Sequence, residues 1–187
     1  MDARRKKAED AAAEKLQLTM DVGKLDDRIR MLTEMEKEYE GFSKAVKTVM
    51  QAAEKNTLRG VHGPVASLMT TKKEYAVALE IALGAALQNI VVDREEDAKT
   101  AIRFLQQRDG GRATFLPLTA IRGDVLRENV AGEYGFVGVA SELVRYDKQY
   151  DSIFKNLLGR TVVMEDMDSA IALARKFRNV FRIVTLD

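Results

Sequence analysis

Apolar residues recur at Leu18, Val22, Leu25, Ile29, Leu32 and Tyr39, in steps that alternate between four and three, with charged Glu36 filling the one missing position. That alternation averages 3.5 residues, the period of a coiled-coil seam. Met1 to Glu40 hold no proline and a single glycine, Gly23, and are dense in Ala, Glu, Lys, Arg and Leu, so intrinsic propensity also predicts helix. Traced backwards, the seam meets Lys15, Ala11 and Ala8 and weakens. A helix of about 40 residues would be ~60 Å long, longer than a body on which it could lie. The pattern therefore predicts a helix that needs a partner strand, which no second long heptad run in the chain supplies. The alternative is a single amphipathic helix lying on its own domain.

Gly41 interrupts this pattern, and Phe42, Val46, Val49 and Met50 continue it briefly toward a junction at residues 56–60. Beyond it the chain repeats itself. At an offset of 75, Gly60 and Gly63 fall on Gly135 and Gly138, Lys73 on Lys148, Tyr75 on Tyr150, and Leu83-Gly84 on Leu158-Gly159. After small deletions, Val91-Val92 falls on Val162-Val163, Ala101-Ile102 on Ala170-Ile171, and residues 112–116 on 182–186. Each copy predicts a β-prone run (65–69; 137–144) and an amphipathic helix ending at the Leu-Gly pair. Next come a buried strand (89–92; 161–164), a second helix (98–107; 169–177) and a closing strand (113–116; 182–186), with residues 119–134 as the link. The expected fold is α+β: a coiled-coil helix over 1–42, then two pseudo-repeated β-α-β-α-β subdomains over 43–122 and 123–187.

Composition narrows the chemistry. Thirty basic residues nearly cancel 29 acidic ones, which argues on bulk charge against a dedicated nucleic-acid or membrane surface, though local patches survive in a neutral total. There are no cysteines and one histidine, so disulfides and cysteine zinc sites are excluded and a cytoplasmic protein is the expectation. No apolar run approaches the ~20 residues of a membrane span. The acidic runs at 93–97 and 165–168 directly precede helices, where they read as caps in preference to metal ligands. His62, between two glycines, reads as a turn or surface residue without a triad or zinc partner. A phosphate loop, a GxGxxG turn and a GxSxG elbow are all missing, and Gly110-Gly111 reads as a helix cap. No cofactor is expected. Lys44, Lys47, Lys55 and Arg59 cluster at the junction, with Lys72, Lys73, Arg103, Arg108, Arg112 and Arg122 elsewhere. They read either as a solvated face or as a modest patch contacting phosphates without sequence preference.

The ordered motifs are Gly60-Val-His-Gly-Pro-Val65, Ala78-Leu-Glu-Ile-Ala-Leu-Gly84, Gly111-Arg-Ala-Thr-Phe-Leu-Pro-Leu118, Leu157-Leu-Gly-Arg-Thr-Val-Val163 and Phe181-Arg-Ile-Val-Thr-Leu-Asp187. Over residues 40–187 this order closely resembles the hinge domain of SMC (structural maintenance of chromosomes) proteins, particularly the bacterial condensin type. The resemblance implies a dimerisation module without catalysis, belonging to an ATPase whose heads lie elsewhere. It implies a homodimer in which one half of each hinge meets the other half of its partner, weak non-specific DNA contact near the coil base, and association with the nucleoid. In the family the last strand runs into a glycine-rich segment and a returning arm, so the chain looks like a fragment lacking the antiparallel partner of its first helix. The interface residues this suggests are Gly60, Gly63, Gly111, Arg112, Thr185 and Leu186, and the DNA-contacting ones Lys44, Lys47, Lys55 and Arg59. The competing expectation is a small-molecule-binding α/β domain with a helical appendage.

Overall fold

The computed structural model describes residues 2–37, 39 and 41–187, and the side chains of these except at 2 and 32–37. The chain divides into two compact units, residues 1–42 and 43–187. In the first, helix α1 (Asp2–Lys37) carries pairs one turn apart, such as Arg5 with Glu9 and Gln17 with Asp21. Its seam residues Leu18, Val22, Leu25 and Ile29 are each more than half exposed. The expected seam positions Leu32 and Glu36 have side chains outside the described residues.

The second unit begins with α2 (Lys44–Glu54). α2 does not run on from the preceding helix as a continuation. It starts afresh, because extended Ser43 caps it: the Ser43 hydroxyl accepts from the Val46 amide at 3.4 Å. The first copy then runs β1 (Val61–Pro64), β2 (Met69–Thr71), α3 (Lys73–Leu83), β3 (Ile90–Val92), α4 (Glu95–Gln107) and β4 (Phe115–Pro117). The second runs β5 (Phe136–Val139), β6 (Val144–Tyr146), α5 (Asp151–Leu158), β7 (Thr161–Met164), α6 (Met167–Lys176) and β8 (Arg182–Thr185). The single β-prone run expected at the front of each copy is in fact two short strands separated by a 3-10 turn, at Val65–Ser67 and Ala140–Glu142. The turn redirects the chain, so the two strands enter different sheets.

The duplication holds in the topology, but strand pairing corrects its expected register. Val91 is equivalent to Val163 and not Val162, and Leu116 to Val184 and not Leu186, because the pairing with β1 and β5 and not side-chain likeness sets the match. In one sheet β3 lies between antiparallel β1 and parallel β4; in another β7 lies between antiparallel β5 and parallel β8. Each first strand slips register at the same place, between Val61 and Gly63 and between Phe136 and Gly138. The central strands are buried at every residue, as expected for strands covered on both faces.

β2 and β6 join the copies. They pair antiparallel, Met69 with Tyr146, Thr70 with Arg145 and Thr71 with Val144. Shifting every residue by the repeat offset maps this set of pairs onto itself, with Thr70 and Arg145 as each other's counterparts. A pseudo-two-fold axis therefore passes through that pair. One core lies on the axis and draws equally on both copies: Val65, Leu79, Leu83 and Val91 from the first, Ala140, Phe154, Leu158 and Val163 from the second. Against it Tyr146 stacks on Phe154 with ring centroids 4.4 Å apart. Burial, then its hydrogen bond to Asp151, pushes the Tyr146 phenol up to about 12. Lys155 and Tyr146 together hold Asp151 below the usual carboxylate range.

The outer faces are covered differently. α2 packs on α4 and β1 in the first copy, burying Ala45, Val46, Val49 and Met50. The second copy has no such helix, and the link supplies the cover, with Val130 joining Val162, Met164, Leu173 and Phe181 in a separate cluster. Both acidic runs act at helix starts. The Asp97 carboxylate accepts from the Arg94 amide at 3.2 Å, and Asp166 accepts from the Ser169 amide at 2.8 Å. Those bonds from Ser169 hold Asp166 below its ordinary range. The left-handed residue that ends α4 is Asp109 (φ 49°) in place of Gly110, and Gly111 (φ 86°) turns the chain again.

Gly60 (φ 72°) is needed twice over: its conformation is left-handed, and a Cβ there would lie within the Asp97 carboxylate that caps α4. Gly111 shares the first constraint only, since its nearest neighbour would be the Ala45 Cβ at 3.6 Å. Gly111→Ala is expected to cost about 1 kcal/mol. Gly60→Ala should cost roughly 2–3 kcal/mol, because strain is joined by a displaced cap. Urea denaturation of the two variants checks this, and equal losses would contradict the account.

Candidate interaction faces

The residues singled out for self-association fall on two kinds of edge. Gly60 and Gly63 belong to the β1 side of its sheet, where α2 packs, and Gly63 lies against Met50 and Leu68. The structure thus gives both glycines work inside the fold. Gly111 and Arg112, both exposed, lead into β4 on the opposite side of the same sheet. Thr185 and Leu186, half-buried, close β8, the equivalent edge of the other copy. The structure sets Gly111 and Arg112 at one outer edge and Thr185 and Leu186 at the other, and it does not bring Gly60 and Gly63 to either.

The two edges are not equally able to accept a strand. In β8 the amides of Arg182 and Leu186 point inward to Arg160 and Met164, so alternation along the strand turns those of Ile183 and Thr185 outward. In β4 the Leu118 amide points inward to Val92, and the same alternation turns positions 115 and 117 outward. Position 117 is proline, which has no amide to offer. Pro117 pairs with Val92 as Thr185 pairs with Met164, so the two residues are equivalents. One edge is blunted by its own sequence and the other is left open. An open hollow of about 620 Å³ borders the blunted edge, lined by Ile102, Leu105, Gln106, Asp109, Arg112 and Ala113.

Two of the four basic residues at the junction share one flank of α2. At 100° per residue Lys44 and Lys47 point within about 60° of one another on α2, and Lys55 caps the end of that helix. The apolar face of α2 is buried against the domain, which turns this flank outward. Lys44, Lys55 and Arg59 are exposed and Lys47 is half-buried. Lys72, Lys73, Arg103 and Arg122 are also exposed and lie outside α2, and Arg108 lies over the Phe104 ring at 3.9 Å.

His62 is not the solitary turn residue its sequence context suggests. It lies within β1 with both ring nitrogens engaged: Nε2 is 2.5 Å from the Asp93 carboxylate and Nδ1 is 2.9 Å from the Tyr150 hydroxyl. Neither partner is near it in sequence. The repeat alone could have drawn attention to Tyr150, since Tyr75 is its counterpart. Among the described residues no group of three or more His, Cys, Asp or Glu could hold a metal ion, and no helix is long and apolar enough to cross a membrane.

These faces sit on a fold that matches known proteins. Residues 58–174 match the family model described as the SMC proteins flexible hinge domain. The chain is 44% identical over 161 residues to the chromosome partition protein Smc of Bacillus subtilis, covering 84% of this chain and 13% of that one. It is 43% identical over 161 residues to the protein of the same name from Methanocaldococcus jannaschii, covering 86% and 13%. The chain therefore spans about an eighth of the length of these relatives. Among solved structures, the Geobacillus stearothermophilus SMC hinge domain, described as an asymmetric dimer, superposes with a TM-score of 0.84 at 40% identity, over 88% of this chain and 68% of that one. The Pyrococcus furiosus hinge domain gives 0.65 at 29% identity, over 82% and 76%. With the family model spanning most of its length and the same two-copy architecture beneath, the chain belongs to the SMC hinge family.

Proposed function

We propose that this chain is the dimerisation module of a chromosome-organising SMC protein, with auxiliary DNA contact and no catalysis of its own. Residues 1–42 serve as the coiled-coil arm, whose exposed seam takes an antiparallel helix of the same protein. Residues 43–122 and 123–187 serve as the two halves of the hinge, and the ATPase of the parent protein belongs to head domains elsewhere in it. The observation that carries this reading is the pair of equivalent sheet edges, β4 and β8, one from each half. In a two-fold dimer each half can meet the opposite half of its partner, so both edges are used at once. β8 contributes outward backbone groups, while β4, blunted by Pro117, contributes mainly Gly111, Arg112 and the neighbouring hollow. Gly60 and Gly63 support the interface indirectly, by shaping β1.

Thr185→Pro tests the edge with little other disturbance. It leaves the inward amides of Arg182 and Leu186 in place and gives β8 the residue that β4 already carries at that register. Self-association measured by analytical ultracentrifugation should weaken at least about tenfold, as disruption of a central strand pairing would require, with unchanged circular dichroism. Unaltered association would contradict the role of β8.

The α2 flank provides the DNA contact. Replacing Lys44, Lys47, Lys55 and Arg59 by glutamine should weaken duplex binding irrespective of sequence. The slope of log affinity against log salt should shrink by about 0.9 for each phosphate that is no longer neutralised. Fluorescence anisotropy across a salt series reads this directly, and an unchanged slope would remove the flank from the account.

A further inference from the structure

The single histidine joins the two copies on one side of their pseudo-two-fold axis only. His62 is in β1 of the first copy and Asp93 follows β3 of the same copy, while Tyr150 ends the 3-10 turn that leads into α5 of the second. The His62 side chain is 19% exposed and Tyr150 only 8%, and the two rings meet edge to face at 5.3 Å. Chemistry gives the chain of hydrogen bonds a direction. An ionised carboxylate only accepts, so Nε2 carries the proton it donates to Asp93. A ring that carries its single proton on Nε2 offers a lone pair at Nδ1, to which the Tyr150 phenol can donate. Burial above all, then Asp147 and Asp93, pushes that phenol up, which keeps the donor proton on Tyr150.

The equivalent positions of the two copies, set by the offset for Tyr150 and His62 and by the matching amide bonds to Gly60 and Gly135 for Asp93, show what is unusual here. Tyr150 has Tyr75 as its counterpart, His62 has Val137, and Asp93 has Glu165. Tyr75 and Val137 both pack against the shared core as half-buried residues. The tyrosine is thus present twice and its imidazole partner once. Apolar contact across the axis is non-directional, whereas two hydrogen bonds in line prescribe both distance and angle. Where the second copy settles for packing, the first fixes geometry.

We infer that the His62 imidazole is a one-sided clasp: a positioning residue that sets how the two halves of the hinge meet, and through that setting whether the β4 and β8 edges can engage a partner together. The second part rests on the dimer reading above; the first does not. With Tyr150 hydrogen-bonded to Nδ1, the imidazole is confined to one tautomer. Without it, the halves keep their core and lose a directional constraint.

Two measurements on the whole chain separate these parts. Because the chain has one histidine, ¹⁵N-histidine labelling yields one imidazole whose tautomer is read directly. The expected spectrum shows a protonated Nε2 and an accepting Nδ1, with the Nδ1 resonance moving in Tyr150→Phe. A ring exchanging between tautomers, or one indifferent to Tyr150→Phe, would overturn the clasp. For the second part, His62→Val installs the residue the fold uses at the equivalent position, so the strand is preserved. His62→Val and Tyr150→Phe should each weaken dimerisation about fivefold to tenfold, and the double variant no more than either, since both remove one shared link. Unchanged dimerisation, or losses that simply multiply, would overturn the control of the edges. A parent chain that never dimerises would sink the dimer reading, and with it that control, leaving the tautomer measurement to decide the clasp.

Discussion

The interaction on which everything else depends is the burial of one apolar core across the pseudo-two-fold axis. A three-stranded sheet with two helices, built from about 70 residues, sits at the size where a hydrophobic core barely offsets chain entropy. Each copy overcomes this by lending its inner face to the other. Leu79 and Phe154 are equivalents and both are buried completely, as are Val91 and Val163. The antiparallel pairing of β2 with β6 then holds the two faces in register. Neither strand could do this alone, because a two-stranded ribbon is marginal unless something packs against it.

Once the core is shared, the outer surfaces are free to diverge, and the divergences are where function can reside. α2 covers the first copy and carries a basic flank away from it; an irregular segment around Val130 covers the second. Pro117 blunts one outer edge where Thr185 leaves its equivalent open. His62 fixes one crossing contact where Val137 leaves packing alone. A protein made of two identical halves would have two identical edges, equally open to indefinite strand addition. Breaking the symmetry at single residues limits that without altering the core.

Much of this is legible in the sequence because burial and backbone geometry leave periodic traces. The 75-residue offset survives where both copies must solve one problem, as at Gly60 and Gly135 beside the helix caps or at the paired tyrosines. The heptad spacing of Leu18, Val22, Leu25 and Ile29 is a similar trace, and these residues are indeed exposed on a long helix. The front of each copy is where composition misleads, since Val65–Ser67 is β-prone yet turns, and only the different partners of β1 and β2 reveal why. His62 is hidden for a related reason. Its neighbourhood in the chain is rich in glycine, while its chemical partners lie 31 and 88 residues away. Edge asymmetry is also invisible until strand order assigns Pro117 to an outer strand.

The central claim, that the halves stand only as one cooperative body, is tested most directly by native-state hydrogen exchange. The slowest amides of β3 and β7 should open with one common free energy. Truncating Phe154 to alanine, which removes a fully buried ring from the second copy, should lower both by the same amount, roughly 3–5 kcal/mol. A loss confined to β7, with β3 still protected as before, would show that the first copy stands alone and would contradict the account.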